Sequence, residues 1–164
     1  MKKILYILIP MMILLVSCQT SNRTTSTRHR PTATKPAPVK HSFLVQFEHH
    51  DLLSKSMEKS KETGKPIFID FYTSWCAPCR LMDDEVFNNR QTADYLNKNF
   101  VNLKVNAEKG NGPTLAMLYK VRSYPTLIFL DGNGKVLERK DGAAFYSELT
   151  RMGNKALNKA NSRP

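Results

Sequence analysis

The chain opens with a mostly apolar run over residues 4–16, preceded by Lys2 and Lys3 and interrupted by Pro10. Residues 19–42 are rich in Thr, Ser, Pro and basic side chains and nearly free of large apolar ones, so they read as a linker that cannot form a core. From Phe43 the pattern changes to one that can fold. Residues 43–47 read as a short edge strand, and residues 51–63 as a helix with Leu52, Leu53 and Met57 inward, stopped by Gly64 before Pro66. Residues 67–72 form a near-continuous apolar run suited to a buried strand, and a helix is expected to follow from Arg80. Thr92 is the expected cap of a short helix through Asn97, residues 100–105 alternate as a strand, and residues 113–119 suggest a further helix. Two strand-like runs, 126–130 and 135–139, flank Asp131-Gly132-Asn133-Gly134, a strong hairpin signal. A last helix is expected over residues 145–157. Strands interleaved with helices in this order predict an α/β fold, a mixed sheet with helices on both faces.

Length and composition set the bounds of that domain. The 164 residues, 41% of them hydrophobic, suffice for one core with appendages. The net charge of +11 is uneven, because residues 1–42 hold seven Lys or Arg and no acid. With only four net charges left to the folded part and no basic face interleaved with aromatics, a nucleic-acid partner is not expected.

The thirteen-residue apolar run is too short to span a bilayer, which favours an export signal over a retained membrane anchor. Its end, Leu15-Val16-Ser17-Cys18, resembles the lipobox of bacterial lipoproteins. That resemblance implies a signal peptide over residues 1–17 and lipidation of Cys18, which becomes the mature N-terminus. Residues 18–42 would then be the lipidated cysteine and its linker, spanning roughly 27 Å as a coil, with the folded domain over 43–160. The expected location is a membrane surface facing the periplasm, and Gln19 resembles residues found in lipoproteins forwarded to the outer membrane.

Candidate chemistry concentrates in Trp75-Cys76-Ala77-Pro78-Cys79. Two cysteines separated by two residues can pass between a dithiol and a disulfide. Placed between a strand and a helix, Cys76 is expected at a helix N-terminus, where unpaired N–H groups and the helix dipole favour a thiolate. If Cys18 is lipidated, Cys76 and Cys79 remain as one pair with no odd thiol. The alternatives are a structural disulfide or half of a zinc site completed by His49-His50; with a single CxxC, no metal is expected. Asp70 is the only charge within its apolar strand, where a carboxylate is costly to keep ionised.

Residues 65–158 resemble the thioredoxin fold, on features spread along the chain: Asp70 six residues before Cys76, Trp75 before the motif and Pro78 inside it, Lys104 on the next strand, and Tyr124-Pro125-Thr126 opening the hairpin. Lys65-Pro66-Ile67-Phe68-Ile69-Asp70-Phe71 and the stretch from Asn99 to Val105 look most like exported thioredoxin-like domains, among them the C-terminal domain of a membrane-embedded carrier of reducing electrons. The resemblance implies Cys76 as an exposed nucleophile, Cys79 as the resolving thiol, Asp70 as proton acceptor for Cys79 and Lys104 beside that carboxylate. It further implies Trp75 as a site-edge platform, Pro78 as the residue limiting the active-site turn, and Pro125 as a cis-proline whose preceding backbone pairs with an extended substrate. Tyr124, larger than is common there, would narrow access; Ser123 and Asn106 are further departures from thioredoxin itself.

The function expected from this resemblance is a membrane-tethered thiol:disulfide oxidoreductase working mainly as a reductant, with no cofactor beyond the Cys76–Cys79 disulfide. Ala77-Pro78 contains no histidine to stabilise the thiolate strongly, and a less stabilised thiolate gives a more reducing couple. The alternatives are an oxidase of exported proteins and a permanently bridged module that only binds peptides. The implied partners are exported protein disulfides, an upstream membrane thiol-reductant donor, and the membrane itself through Cys18.

Overall fold

Residues Ile67–Tyr72 form the central strand β2, and its apolar residues Ile67, Phe68, Ile69 and Phe71 are fully buried. Such burial requires cover on both faces, and the remaining elements supply it. The computed structural model describes residues 43–48 and 52–162, all within the second of two units of the chain, Lys40–Pro164. The expected signal peptide, Cys18, the linker and His49-His50 lie outside the described residues.

The strands are β1 (Phe47–Glu48), β2, β3 (Val101–Asn106), β4 (Thr126–Leu130) and β5 (Val136–Asp141), in the spatial order β1-β3-β2-β4-β5. β3 runs parallel to both β1 and β2, whereas β4 is antiparallel to β2 and to β5. The helices are α1 (Leu53–Thr63), α2 (Ala77–Met82) continuing into a π-helical turn (Asp83–Phe87), α3 (Arg90–Asn99), α4 (Gly112–Leu118) and α5 (Tyr146–Asn161). Alternation along β2 divides the core. Phe68 joins Phe129 and Leu127 under the π-turn, α3 and α5, with Phe87, Leu96 and Met152 packed on them. Ile67, Ile69 and Phe71 join Leu103 and Ile128 on the other face, under Leu53 of α1 and Leu115 of α4. The expected mixed sheet with helices on both faces is the observed one. Among the described residues, no helix is long and apolar enough to cross a membrane.

Several boundaries depart from the sequence pattern for identifiable reasons. β1 is two residues rather than five, because the segment before it bonds to other partners: the Val45 N–H donates to Phe87 O at 3.1 Å and the Gln46 N–H to Asn97 Oδ1 at 2.8 Å. α1 starts at Leu53, leaving Leu52 exposed, and its buried residues are Leu53, Ser56 and Ser60, with Met57 half-buried. Gly64 ends α1 at φ +70°, the left-handed conformation expected of a glycine stop. α3 is capped by Asn89, not Thr92; Asn89 Oδ1 accepts from the N–H groups of Gln91 (2.9 Å) and Thr92 (3.2 Å), while Thr92 itself is buried. α2 begins at Ala77 rather than Arg80, since Pro78 is favourable in a first helical turn.

Candidate active site

The turn after β2 delivers Cys76 to the start of α2. Its N–H donates to Thr73 O at 3.3 Å, its backbone is extended at φ −70°, ψ 108°, and its carbonyl accepts from the Arg80 N–H at 3.2 Å. Cys76 is therefore the N-cap, and its Sγ accepts from the N–H of Cys79 at 3.2 Å. Cys76 and Cys79 form a disulfide with a Cα–Cα distance of 5.3 Å. One expectation is corrected here: Cys76 is not exposed in this oxidised form, at 3% accessible surface against 2% for Cys79. The cap conformation folds its sulfur back over the first turn of the helix, whereas Trp75, Ala77 and Pro78 around it are exposed.

A buried charge cluster lies beneath. Asp70 and Lys104 are register partners on β2 and β3, and Lys104 Nζ is 2.5 Å from Asp70 Oδ2 and 2.7 Å from Asp83 Oδ1. Asp70 is thus not the isolated charge that its strand alone suggests. Burial by itself would lower the Lys104 pKa, but the carboxylates of Asp70 and Asp83 outweigh it and hold the ammonium above its ordinary 10.5. Four rings surround the same cation, Tyr72 at 4.5 Å, Phe87 at 4.9 Å, Phe43 at 5.4 Å and Phe47 at 5.6 Å from Nζ. The second carboxylate oxygen, Asp70 Oδ1, is buried and has no hydrogen-bond partner among the described residues.

Asp83 was not legible as part of this site. Its neighbour Asp84 makes the pair look like a solvated acidic turn. The only signal is its spacing four residues after Cys79, which puts both on one helical face.

The rim is built from three loops. Trp75, 65% exposed, donates its indole N–H to Glu108 Oε1 at 2.9 Å and meets the Tyr124 ring edge-on at 6.0 Å. Asn106 Nδ2 donates to Ser74 Oγ at 3.2 Å, and Asn106 Oδ1 accepts from the Glu108 N–H at 3.0 Å. The Tyr124–Pro125 peptide is cis. Pairing of Phe71 with Thr126 sets Pro125 beside the end of β2 from which the cysteine turn departs. The structure therefore brings Trp75, Cys76, Cys79, Tyr124 and Pro125 to one end of the sheet, with Asp70 and Lys104 below. Nothing local to Glu108 marks it as part of the rim; only the fold carries it to Trp75.

Comparison with known proteins agrees with this geometry. Residues 53–157 match the thioredoxin-like domain family. The thiol:disulfide interchange protein DsbD of Salmonella typhi is 29% identical over 127 residues, covering 73% of this chain and 21% of that protein. The chloroplastic thioredoxin Y2 of Arabidopsis thaliana is 33% identical over 89 residues, covering 54% of this chain and 50% of that protein. The chain thus spans half or less of these relatives. The solution structure of a candidate disulphide-isomerase from Bacteroides thetaiotaomicron is 32% identical with a TM-score of 0.59, covering 75% of this chain and 98% of that one. A fold built around a CxxC turn and these matches agree: the chain belongs to the thioredoxin-like domain family, and the matched residues include the Cys76–Cys79 pair.

Proposed function

We propose that this chain is a membrane-tethered thiol:disulfide oxidoreductase that reduces disulfides of exported proteins. The observation that carries the proposal is the Cys76–Cys79 disulfide at the cap of α2, with the Cys79 N–H directed at Cys76 Sγ and the Tyr124–cis-Pro125 loop at the same end of the sheet. In the reduced protein, that N–H and the helix N-terminus favour the thiolate of Cys76. An extended client pairs with the backbone before Pro125 as an added strand. Cys76 Sγ attacks one client sulfur, a Cys76–client disulfide forms, the client disulfide breaks, and a client thiolate departs. Cys79 then gives its proton to Asp70 and attacks Cys76 Sγ. The Cys76–Cys79 disulfide closes, the second client thiolate leaves and takes up a proton, and two electrons have passed to the client. Asp70 Oδ1, buried and without a partner, is the acceptor, while Lys104 stays charged throughout.

The oxidised protein needs an external dithiol, for which a membrane thiol-reductant donor is the chemical match. The Ala77-Pro78 spacer without histidine favours the reducing direction, and the similarity to thiol:disulfide interchange proteins supports exchange chemistry at the cysteine pair. The Leu15-Val16-Ser17-Cys18 sequence supports the lipid tether and export to the periplasmic side.

Insulin reduction by dithiothreitol, with and without the protein, tests catalysis; no acceleration would leave only a peptide-binding module. Equilibration with glutathione tests direction. A potential near about −270 mV is expected, and one near about −120 mV would identify an oxidase instead. Labelling of cells with radioactive palmitate should mark the wild-type chain and not Cys18→Ser.

A further inference from the structure

We propose that Arg139 and Asp141 on β5 are positioning residues that set the protein's affinity for disulfide-bonded polypeptides, by holding both ends of the segment that carries Tyr124 and Pro125. The proposal rests on the oxidoreductase reading and adds to it which residues govern client binding. Arg139 and Asp141 pair with Ile128 and Thr126 on β4 and, two residues apart, project from one face of the edge strand.

Arg139 holds the start of the segment. Its Nη1 donates to Tyr119 O at 2.6 Å and its Nη2 to Lys120 O at 3.3 Å. These carbonyls follow the last residue of α4, where helical partners run out and a cation is favoured. Lys120 is the only non-glycine residue at positive φ among those described, at +53°, a turn that redirects the chain toward Tyr124. Asp141 holds the other end. Its Oδ1 accepts from Arg139 Nη2 at 2.7 Å and Nε at 3.1 Å, and lies 3.1 Å from Thr126 Oγ1. The Thr126 hydroxyl also lies 2.8 Å from Ser123 O, and with one proton it donates to one of these acceptors at a time. The Gly142 N–H donates to Pro125 O at 2.8 Å. Thus β5 grips residues 119–120 through Arg139, and Asp141 with Gly142 just after the strand grips residues 125–126.

This arrangement bears on clients more than on redox chemistry. Neither residue has a hydrogen bond or ion pair with a cysteine or with the buried Asp70–Lys104 pair. The side chains are 29% and 55% exposed, and ion pairs at that exposure contribute little to global stability. The segment they hold presents the backbone that an extended client must pair with, and fixing it beforehand removes an ordering cost from binding.

The test compares one large and two small partners. Arg139→Met and Asp141→Asn are measured for KM and kcat with insulin, for the rate of disulfide reduction by dithiothreitol, and for the equilibrium with glutathione. KM for insulin should rise about tenfold, short of the ~10²-fold of a fully misplaced group, with both small-thiol measurements within about twofold of wild type. Arg139→Lys should fall between, because an ammonium keeps the charge but cannot span two carbonyls and a carboxylate. A folded Arg139→Met with wild-type KM overturns the proposal. So does a KM rise accompanied by an equal change in dithiothreitol rate or glutathione equilibrium, which marks a general structural role. Should Arg139→Met fail to fold, Asp141→Asn and Arg139→Lys carry the same readouts. A wild-type protein that reduces no insulin overturns the oxidoreductase reading itself, a result separate from any difference between variants.

Discussion

Asp70 and Lys104 face each other across the parallel β2–β3 ladder, and the ammonium reaches Oδ2 of the carboxylate at 2.5 Å while also meeting Asp83 at 2.7 Å. One cation between two carboxylates in a largely buried site makes each member depend on the others. Lys104→Met leaves the buried carboxylate of Asp70 without the ammonium it pairs with, and the expected loss is about 3–5 kcal/mol of unfolding free energy in urea titrations. A loss below about 1 kcal/mol would mean that water reaches the cluster. The pH dependence follows from the sign of the shift. The Lys104 pKa is raised in the folded state, so its contribution is fully present below 10.5 and is lost as pH climbs through the higher folded value. Wild-type stability should therefore show no loss from this group between neutrality and pH 10.

Asp70→Asn keeps the shape of the side chain and removes the proposed proton acceptor, and Lys104 retains Asp83 as a partner. Formation of the Cys76–client disulfide should proceed, and its resolution by Cys79 should slow by at least about tenfold at neutral pH. Acid-quenched samples resolved by mass would then contain the mixed disulfide. Wild-type resolution in this variant would remove Asp70 from the proton path.

Gly112 opens α4 against the backbone of the loop that carries Glu108. A Cβ at this position would collide with the carbonyl oxygen of Asn106 and lie 2.7 Å from its carbon, a contact that only a backbone shift relieves. Gly112→Ala should cost about 1–3 kcal/mol in thermal or urea unfolding. Because Trp75, the chain's single tryptophan, bonds Glu108 in that loop, its fluorescence should change in the folded variant. Unaltered stability and emission would show that the loop yields freely.

Asp141 has its pKa lowered below the ordinary 3.8, chiefly by the hydrogen bonds from Arg139. A lowered carboxylate pKa gives stabilisation that is present above the ordinary value and lost as pH falls through the folded one. The difference in Tm between wild type and Asp141→Asn, small because the pair is largely solvent-screened, should hold steady from pH 7 to about 5 and close at pH values below 3.8. A gap that persists in acid would mean that the carboxylate's charge does not matter.

Much of this molecule is legible in the sequence because the information is local. The fully apolar run of β2, the Asp131-Gly132-Asn133-Gly134 turn and the Gly64 stop each act through neighbours within a few residues, and all three elements lie where the pattern put them. The cysteine pair is local in the same sense, since its spacing and the strand before it already place Cys76 at a helix start. Phe43-Leu44-Val45-Gln46-Phe47 carries a strand's alternation, yet β1 is only Phe47–Glu48, because a strand exists only where a ladder partner is offered. Here the π-turn and α3 take up the N–H groups of Val45 and Gln46 instead.

Periodicity and turn chemistry act over short separations, so the set of elements, the redox-capable turn and the candidate residues around it are already written in the order of residues. Only packing of the whole chain shares Lys104 between Asp70 and Asp83, sets Glu108 on Trp75, and brings Arg139 and Asp141 to the Tyr124–Pro125 segment. These contacts join residues 15 to 34 positions apart in the chain. Their existence depends on strand order, register and helix placement, which are properties of the whole packed chain.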